Sequence, residues 1–118
     1  MKAFLIHQHG DLDQARYEKI DDPEIQPGCV RVKTQATALN HLDLWVVRGL
    51  PGRDLQMPHV LGSDGAGIVE ETGEGVSRFS VGDRVISNGN HAEFVSVPRN
   101  LCALVPDNVS DEAAAFTV

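Results

Sequence analysis

The chain has 118 residues, enough for one domain with a hydrophobic core and hardly for two. It is 42% apolar and 23% charged, and apolar residues run along its whole length, which argues against disorder. A formal net charge of −7, with no lysine- or arginine-rich run, argues against nucleic acid and anionic membrane surfaces as partners, since both are negatively charged.

The predicted elements begin with a short apolar strand, Ala3 to His7, closed by Gly10 and Asp11. Arg16 to Ile20 can pair back against it. Pro23 and Pro27-Gly28 punctuate a turn before the clearest strand, Val30 to Ala38, where Val30, Val32, Thr34, Ala36 and Ala38 share one face and Arg31, Lys33, Gln35 and Thr37 the other. At Asn40 the period changes. Asn40 is a good helix cap, Leu42, Trp45 and Val46 recur at helical spacing, and Gly49 ends the helix.

Residues 49–58 read as a loop, and Val60-Leu61 leads into the glycine-rich stretch Gly62 to Gly67. A strand resumes at Ile68, where Glu70 and Glu71 should alternate faces. Gly73 to Gly75 and Gly82-Asp83 are turns, and Arg84 beside Asp83 suggests a salt bridge that closes the barrel. Ser87-Asn88-Gly89-Asn90 is a two-residue hairpin signal, with positive φ expected at Asn88 and Gly89. Strands follow at Ala92 to Val97 and Leu101 to Val105. Many short strands with frequent Gly and Pro and one or two short helices predict a mainly β fold, a barrel or sandwich.

Ser110 can cap a last helix, with Asp111 and Glu112 in its first turn. The apolar run from Ala113 stops at Val118 without a helix-ending signal, so the sequence predicts a longer parent. In isolation the stripe Ala113, Ala114, Phe116 and Val118 should fray or drive self-association. Cys29 and Cys102 are too few for a disulfide framework, and apolar surroundings predict buried free thiols in a reducing cytoplasm. Neither a signal peptide nor a membrane span is legible.

Five ordered blocks carry a resemblance: Ala38 to Trp45, Pro58 to Gly67, Gly75 to Val85, Ala92 to Pro98, and Val105 to Ser110. Together they resemble the amino-terminal domain of medium-chain dehydrogenases/reductases, the superfamily of alcohol dehydrogenases and quinone oxidoreductases. The resemblance implies a GroES-like, partly open β-barrel over residues 1–118, with a Rossmann domain to follow in the parent. It also implies hydride transfer between NAD(P) and a small-molecule alcohol, carbonyl or quinone. Asn40, His41, Trp45, Ser63 and Asp64 would face the nicotinamide and substrate, and the missing domain would bind most of the cofactor.

The departures concern metal. Zinc-dependent members carry Cys where this chain has Asn40, Ser or Thr where it has Leu42, His where it has Ser63 and Glu where it has Asp64. Catalytic zinc needs about three thiolate, imidazole or carboxylate ligands, so neither this site nor the short Ile86 to His91 segment, where some members hold a four-cysteine lobe, predicts zinc. The absence resembles the quinone oxidoreductase branch. Residues from Ser87 onward resemble instead a branch of larger bacterial oxidoreductases, which suggests a natural intermediate or a chimera.

Plainer roles compete at several positions. Gly62 to Gly67 lacks the Gly-x-Gly-x-x-Gly order and a following helix, so tight turns explain it better than phosphate binding. The cap accounts for Asn40 and core burial for Trp45, while Asp43 is expected to be structural, held by backbone or arginine contacts. His7 and His9 with Asp11 offer at most adventitious metal binding, and His59 and His91 read as surface histidines. Two rival functions remain: an engineered or chimeric stand-alone barrel without activity, and a GroES-like co-chaperonin, for which residues 49–58 make too short a mobile loop.

Overall fold

A computed structural model describes residues 1–116. Its strands are β1 (Lys2–Ile6), β2 (Arg16–Lys19), β3 (Cys29–Ala38), β4 (His59–Val60), β5 (Asp64–Thr72), β6 (Arg84–Ser87), β7 (Phe94–Pro98) and β8 (Cys102–Leu104). Helix α1 (His41–Arg48) follows β3, and α2 (Asp111–Ala115) closes the described chain. One antiparallel sheet has the order β2-β1-β4 and the other β7-β3-β5-β6-β8. An isolated bridge between Ala3 and Ala92 joins them, with Phe4 N–H donating to the His91 carbonyl at 2.8 Å and Glu93 N–H to that of Lys2 at 3.1 Å. The mainly β, GroES-like architecture expected from the sequence is present, as two linked sheets and not a closed cylinder. No helix among the described residues is long and apolar enough to cross a membrane.

The core follows from alternation along β3. Val30 and Val32 are buried against Val69, Phe79, Val85, Val95, Val97 and Cys102. Ala36 and Ala38 instead join Ala66, Val105, Ala114 and Ala115. The predicted single face is therefore divided. Thr34 pairs with Gly67 and Ala36 with Ala66, so Gln35 is an extra residue that bends the strand. A second irregularity corrects the expectation for Glu70 and Glu71. Arg31 pairs with Glu71 and Val32 with Val69, which leaves Glu70 as the extra residue. Both carboxylates then reach Arg31, at 2.9 Å each, instead of pointing apart.

The predicted hairpin at Asn88-Gly89 does not form. β6 pairs with β5 and β8, and β7 pairs with β3, so the two strands flanking the signal are not partners. Neither Asn88 nor Gly89 has positive φ. Gly89 is there for space: a Cβ on it would lie 3.1 Å from Gly65 Cα. The Gly62 to Gly67 stretch is likewise mostly strand, since β5 begins at Asp64.

Helix α2 starts as predicted, with Ser110 Oγ accepting from Ala113 N–H at 3.1 Å. Arg84 does not pair with Asp83; its Nη2 reaches Asp111 Oδ1 at 3.0 Å and the Val109 carbonyl at 2.6 Å, fixing the start of α2 on β6. The expectation of an unburied stripe is corrected for Ala114, which is buried with Ala115 against the sheet. Phe116 stays exposed, and Val118 lies outside the described residues. Burial of apolar atoms on β3 and β5 explains why the helix folds back.

Both cysteines are free thiols; Cys102 is buried, whereas Cys29 is only partly so. Desolvation, with a smaller contribution from Cys29, pushes the Cys102 thiol up from 9.0 to about 11. The folded domain thus keeps this proton where the unfolded chain loses it. Stability contributed by the protonated thiol is complete below pH 9.0 and is lost as pH rises toward about 11. Urea midpoints should therefore fall across that window in the wild type and less in Cys102→Ala. Equal slopes for the two proteins would rule out this origin.

Candidate functional site

The site forms where β3 hands over to α1. Asn40 adopts an extended conformation, φ −145° and ψ 175°, and its Oδ1 accepts the Leu42 N–H at 2.8 Å. Asp43 Oδ2 accepts the Asn40 N–H at 3.1 Å, completing a reciprocal capping box. The other end of the Asn40 amide, Nδ2, donates to Asp64 Oδ2 at 2.6 Å. A backbone donor on one side and a carboxylate on the other fix which way the amide points. The register explains the meeting, because Ala38 opposes Asp64 and Asn40 lies just beyond that pair.

Asp43 is buried under the turn, and its partner is a residue that sequence reading left on the surface. His91 Nε2 lies 3.3 Å from Asp43 Oδ2, and His91 Nδ1 lies 2.7 Å from Thr37 Oγ1. The side chains of His91 and Asp43 are each only 10% exposed. A carboxylate can only accept, so Nε2 carries the hydrogen of that contact, and the Thr37 hydroxyl completes Nδ1. His91 N–H also donates to the Leu61 carbonyl at 2.8 Å. One side chain thus ties the cap of α1 to β3 while its backbone ties to Phe4 on β1 and to Leu61 just after β4. Asp43 is structural as expected, held by backbone and histidine instead of arginine.

Trp45 is not in the core. It is 54% exposed, while Asp43 and Val47 are the buried residues of α1. At about 100° per residue, Trp45 points away from the Asp43–Val47 side. The His41 and Trp45 rings are neighbours, with centroids 6.4 Å apart and planes tilted by 47°. Leu39, at 76% exposed, adds a second large apolar side chain beside Asn40. Exposed apolar groups concentrated at one turn mark a surface suited to covering.

Ser63 lies next to Asp64 on a hollow of ≈ 290 Å³ that Leu42, Val46, Arg53, His59 and Asn88 also line. Burial, then Arg53, then His9 hold His59 below its usual 6.5. His59 is thus half-buried and not a plain surface residue. His7 and His9 do not converge on a metal position: His7 Nε2 lies 2.9 Å from Glu18 Oε2, and His9 Nδ1 donates to the Val46 carbonyl at 2.9 Å. Of the expected site residues, the structure joins Asn40 to Asp64 and His41 to Trp45, and sets Ser63 beside them. His91, Thr37 and Arg53 were missed. Residues 48 and 54 positions apart in sequence give no local signal of contact.

Zinc does not suit these donors. Around Asn40 the two carboxylates are already engaged, Asp64 by the Asn40 amide and Asp43 by the Asn40 N–H and His91, and Asn40 Oδ1 is engaged by Leu42 N–H. Ser63 adds a hydroxyl, leaving far short of the roughly three thiolate, imidazole or carboxylate ligands that zinc requires. No group of three or more His, Cys, Asp or Glu able to hold a metal exists among the described residues.

Residues 26–107 match the family model for the alcohol dehydrogenase GroES-like domain. The chain belongs to that family. Its relatives are medium-chain dehydrogenases/reductases. The domain is 42% identical over 87 residues to a zinc-type alcohol dehydrogenase-like protein of Schizosaccharomyces pombe, covering 72% of this chain and 25% of the relative. It is similar in structure to a mycobacterial quinone oxidoreductase, with TM-score 0.89, 36% identity, and coverage of 98% of this chain and 36% of that one. A mycobacterial protein solved in complex with NADPH matches equally, with TM-score 0.89 and 36% identity over 98% of this chain and 37% of that one. The domain thus spans about a quarter of the yeast relative and little over a third of the solved chains.

Proposed function

We propose that this chain is the substrate-side domain of an NAD(P)-dependent oxidoreductase that works without zinc on a carbonyl, alcohol or quinone. The observation that carries the reading is the Asn40–Asp64 pair, held where zinc-dependent members keep metal ligands, beside exposed Leu39 and Trp45. The nicotinamide supplies or accepts the hydride when bound, and a proton balances the charge on the substrate oxygen.

The residues of this domain orient and desolvate. Asn40 Nδ2 spends one hydrogen on Asp64 and keeps a second for a substrate oxygen. Trp45, His41 and Leu39 form an apolar wall that excludes water once the cofactor domain covers it. The phosphates of the dinucleotide belong to that other domain, because this chain has neither the Gly-x-Gly-x-x-Gly order nor its strand-turn-helix setting. By itself the chain is inactive. Free Cys29 and Cys102 support a reducing compartment such as the cytoplasm.

Exchanging the matching domain of the mycobacterial quinone oxidoreductase for this chain tests the reading. The hybrid should oxidise NADPH with a quinone, and chelator should not change the rate. Asn40→Leu in the hybrid should lower kcat/KM by about tenfold, the loss of roughly one hydrogen bond in the transition state. The 118-residue chain alone should show no saturable NADPH binding by calorimetry. A hybrid that binds NADPH yet stays inert, or that needs added zinc, overturns the proposal.

A further inference from the structure

We propose that the hollow beside Asn40 and Asp64 is a carboxylate-binding subsite, in which Arg53, Ser63 and Asn88 anchor the acid group of a small oxo acid. This rests on the reading of the chain as a substrate-side domain and goes further by naming the substrate class.

The case begins with charge. Arg31 and Arg84 spend their guanidinium groups on Glu70, Glu71 and Asp111. Arg53 lies on the rim of the hollow and has no acidic partner among the described residues. The carboxylates nearby are already committed: Asp43 to the Asn40 N–H and His91, Asp64 to the Asn40 amide. His59 also lines the hollow, and burial first, with Arg53 and His9 contributing less, lowers its pKa from 6.5 and so favours the uncharged ring. The guanidinium of Arg53 thus faces a cavity whose one lining carboxylate, Asp43, is already engaged through Oδ2 by the Asn40 N–H and His91. Its planar fork matches a carboxylate in two parallel hydrogen bonds.

The remaining lining completes the selection. Asn90 is consumed internally, its Nδ2 donating to the Gly62 carbonyl at 3.0 Å. The Ser63 hydroxyl and Asn88 amide have no hydrogen-bond partner among the described residues and are available as donors to an anion. Leu42 and Val46 form an apolar wall for a short carbon chain. A volume of ≈ 290 Å³ is at the low end for ligand sites, which suits a small acid. Ser63 adjoins Asp64, so an acid held here directs its other end toward Asn40.

NMR titration of the isotope-labelled chain with levulinate, methyl levulinate and inorganic phosphate is the test. Levulinate should give saturable shifts at Arg53, Ser63 and Asn88, and its neutral ester should bind at least about tenfold more weakly. Arg53→Gln should erase the difference between acid and ester, whereas Arg16→Gln, on β2, should preserve it. Equal affinity of the ester at the same residues would overturn the carboxylate anchor and leave the substrate-side reading standing. Displacement of levulinate by equimolar phosphate would make this a general anion site and overturn the oxo acid assignment. No shift with any probe would also overturn the subsite, while quinone turnover by the domain hybrid decides the substrate-side reading independently.

Discussion

Replacement of His91 by leucine is expected to lower the stability of the domain by about 3 kcal/mol, as befits a buried carboxylate that loses its partner. Asp43 Oδ2 would keep the Asn40 N–H at 3.1 Å and lose the imidazole contact, and Thr37 Oγ1 would lose its contact at 2.7 Å. Desolvation makes the loss expensive: the carboxylate stays in a site from which water is largely excluded. Leucine fills a similar volume, so the missing polar partner, more than a cavity, would cause the loss. The double variant His91→Leu/Asp43→Leu should be less destabilised than the sum of the two single changes, because the orphaned charge is gone. Urea titration of the three variants measures this coupling. Strict additivity, or a loss below about 1 kcal/mol for the single change, would return His91 to the surface role its sequence context suggests.

Gly67→Ala should cost about 3 kcal/mol, the upper end for forcing an extra carbon into a packed interior. A Cβ at this position would collide with the Lys33 carbonyl oxygen and lie 2.7 Å from Val32 Cγ1. The first obstacle is backbone of the paired strand, which cannot move without opening the β3–β5 ladder next to the Gln35 irregularity. The effect should therefore spread to both core clusters that β3 serves, visible as loss of amide protection along β3 and β5. Local loosening confined to residues near Gly67 would mean that the strand yields more easily than its pairing implies.

Much of this domain was legible in its residues. Alternation from Val30 to Ala38, the change to helical spacing at Asn40 and glycine at Gly49 specify local structure, because strand and helix impose different side-chain periods. They give β3, α1 and the α1 cap as found. The ordered blocks carried the family, and the identities of Asn40 and Ser63 carried the expectation of a site without zinc. These are matters of residue type and short-range order, which need no partner from elsewhere in the chain.

Tertiary structure decided whatever depends on a distant partner. Asn88-Gly89 is a sound local signal for a tight hairpin, yet β6 takes β5 and β8 as neighbours, and sheet pairing overrides the turn preference. Glu70 and Glu71 point apart only in a regular strand; one extra residue opposite Arg31 brings both to the same guanidinium. Trp45 carries apolar area that sequence patterning assigns inward, and only the placement of Asp43 and Val47 turns it out. His91 is 48 residues from Asp43, and its burial was fixed when the two sheets met at Ala3 and Ala92. Local propensity is weak and short-ranged, whereas burial and buried hydrogen bonds are settled by whichever segments the whole chain can pack together.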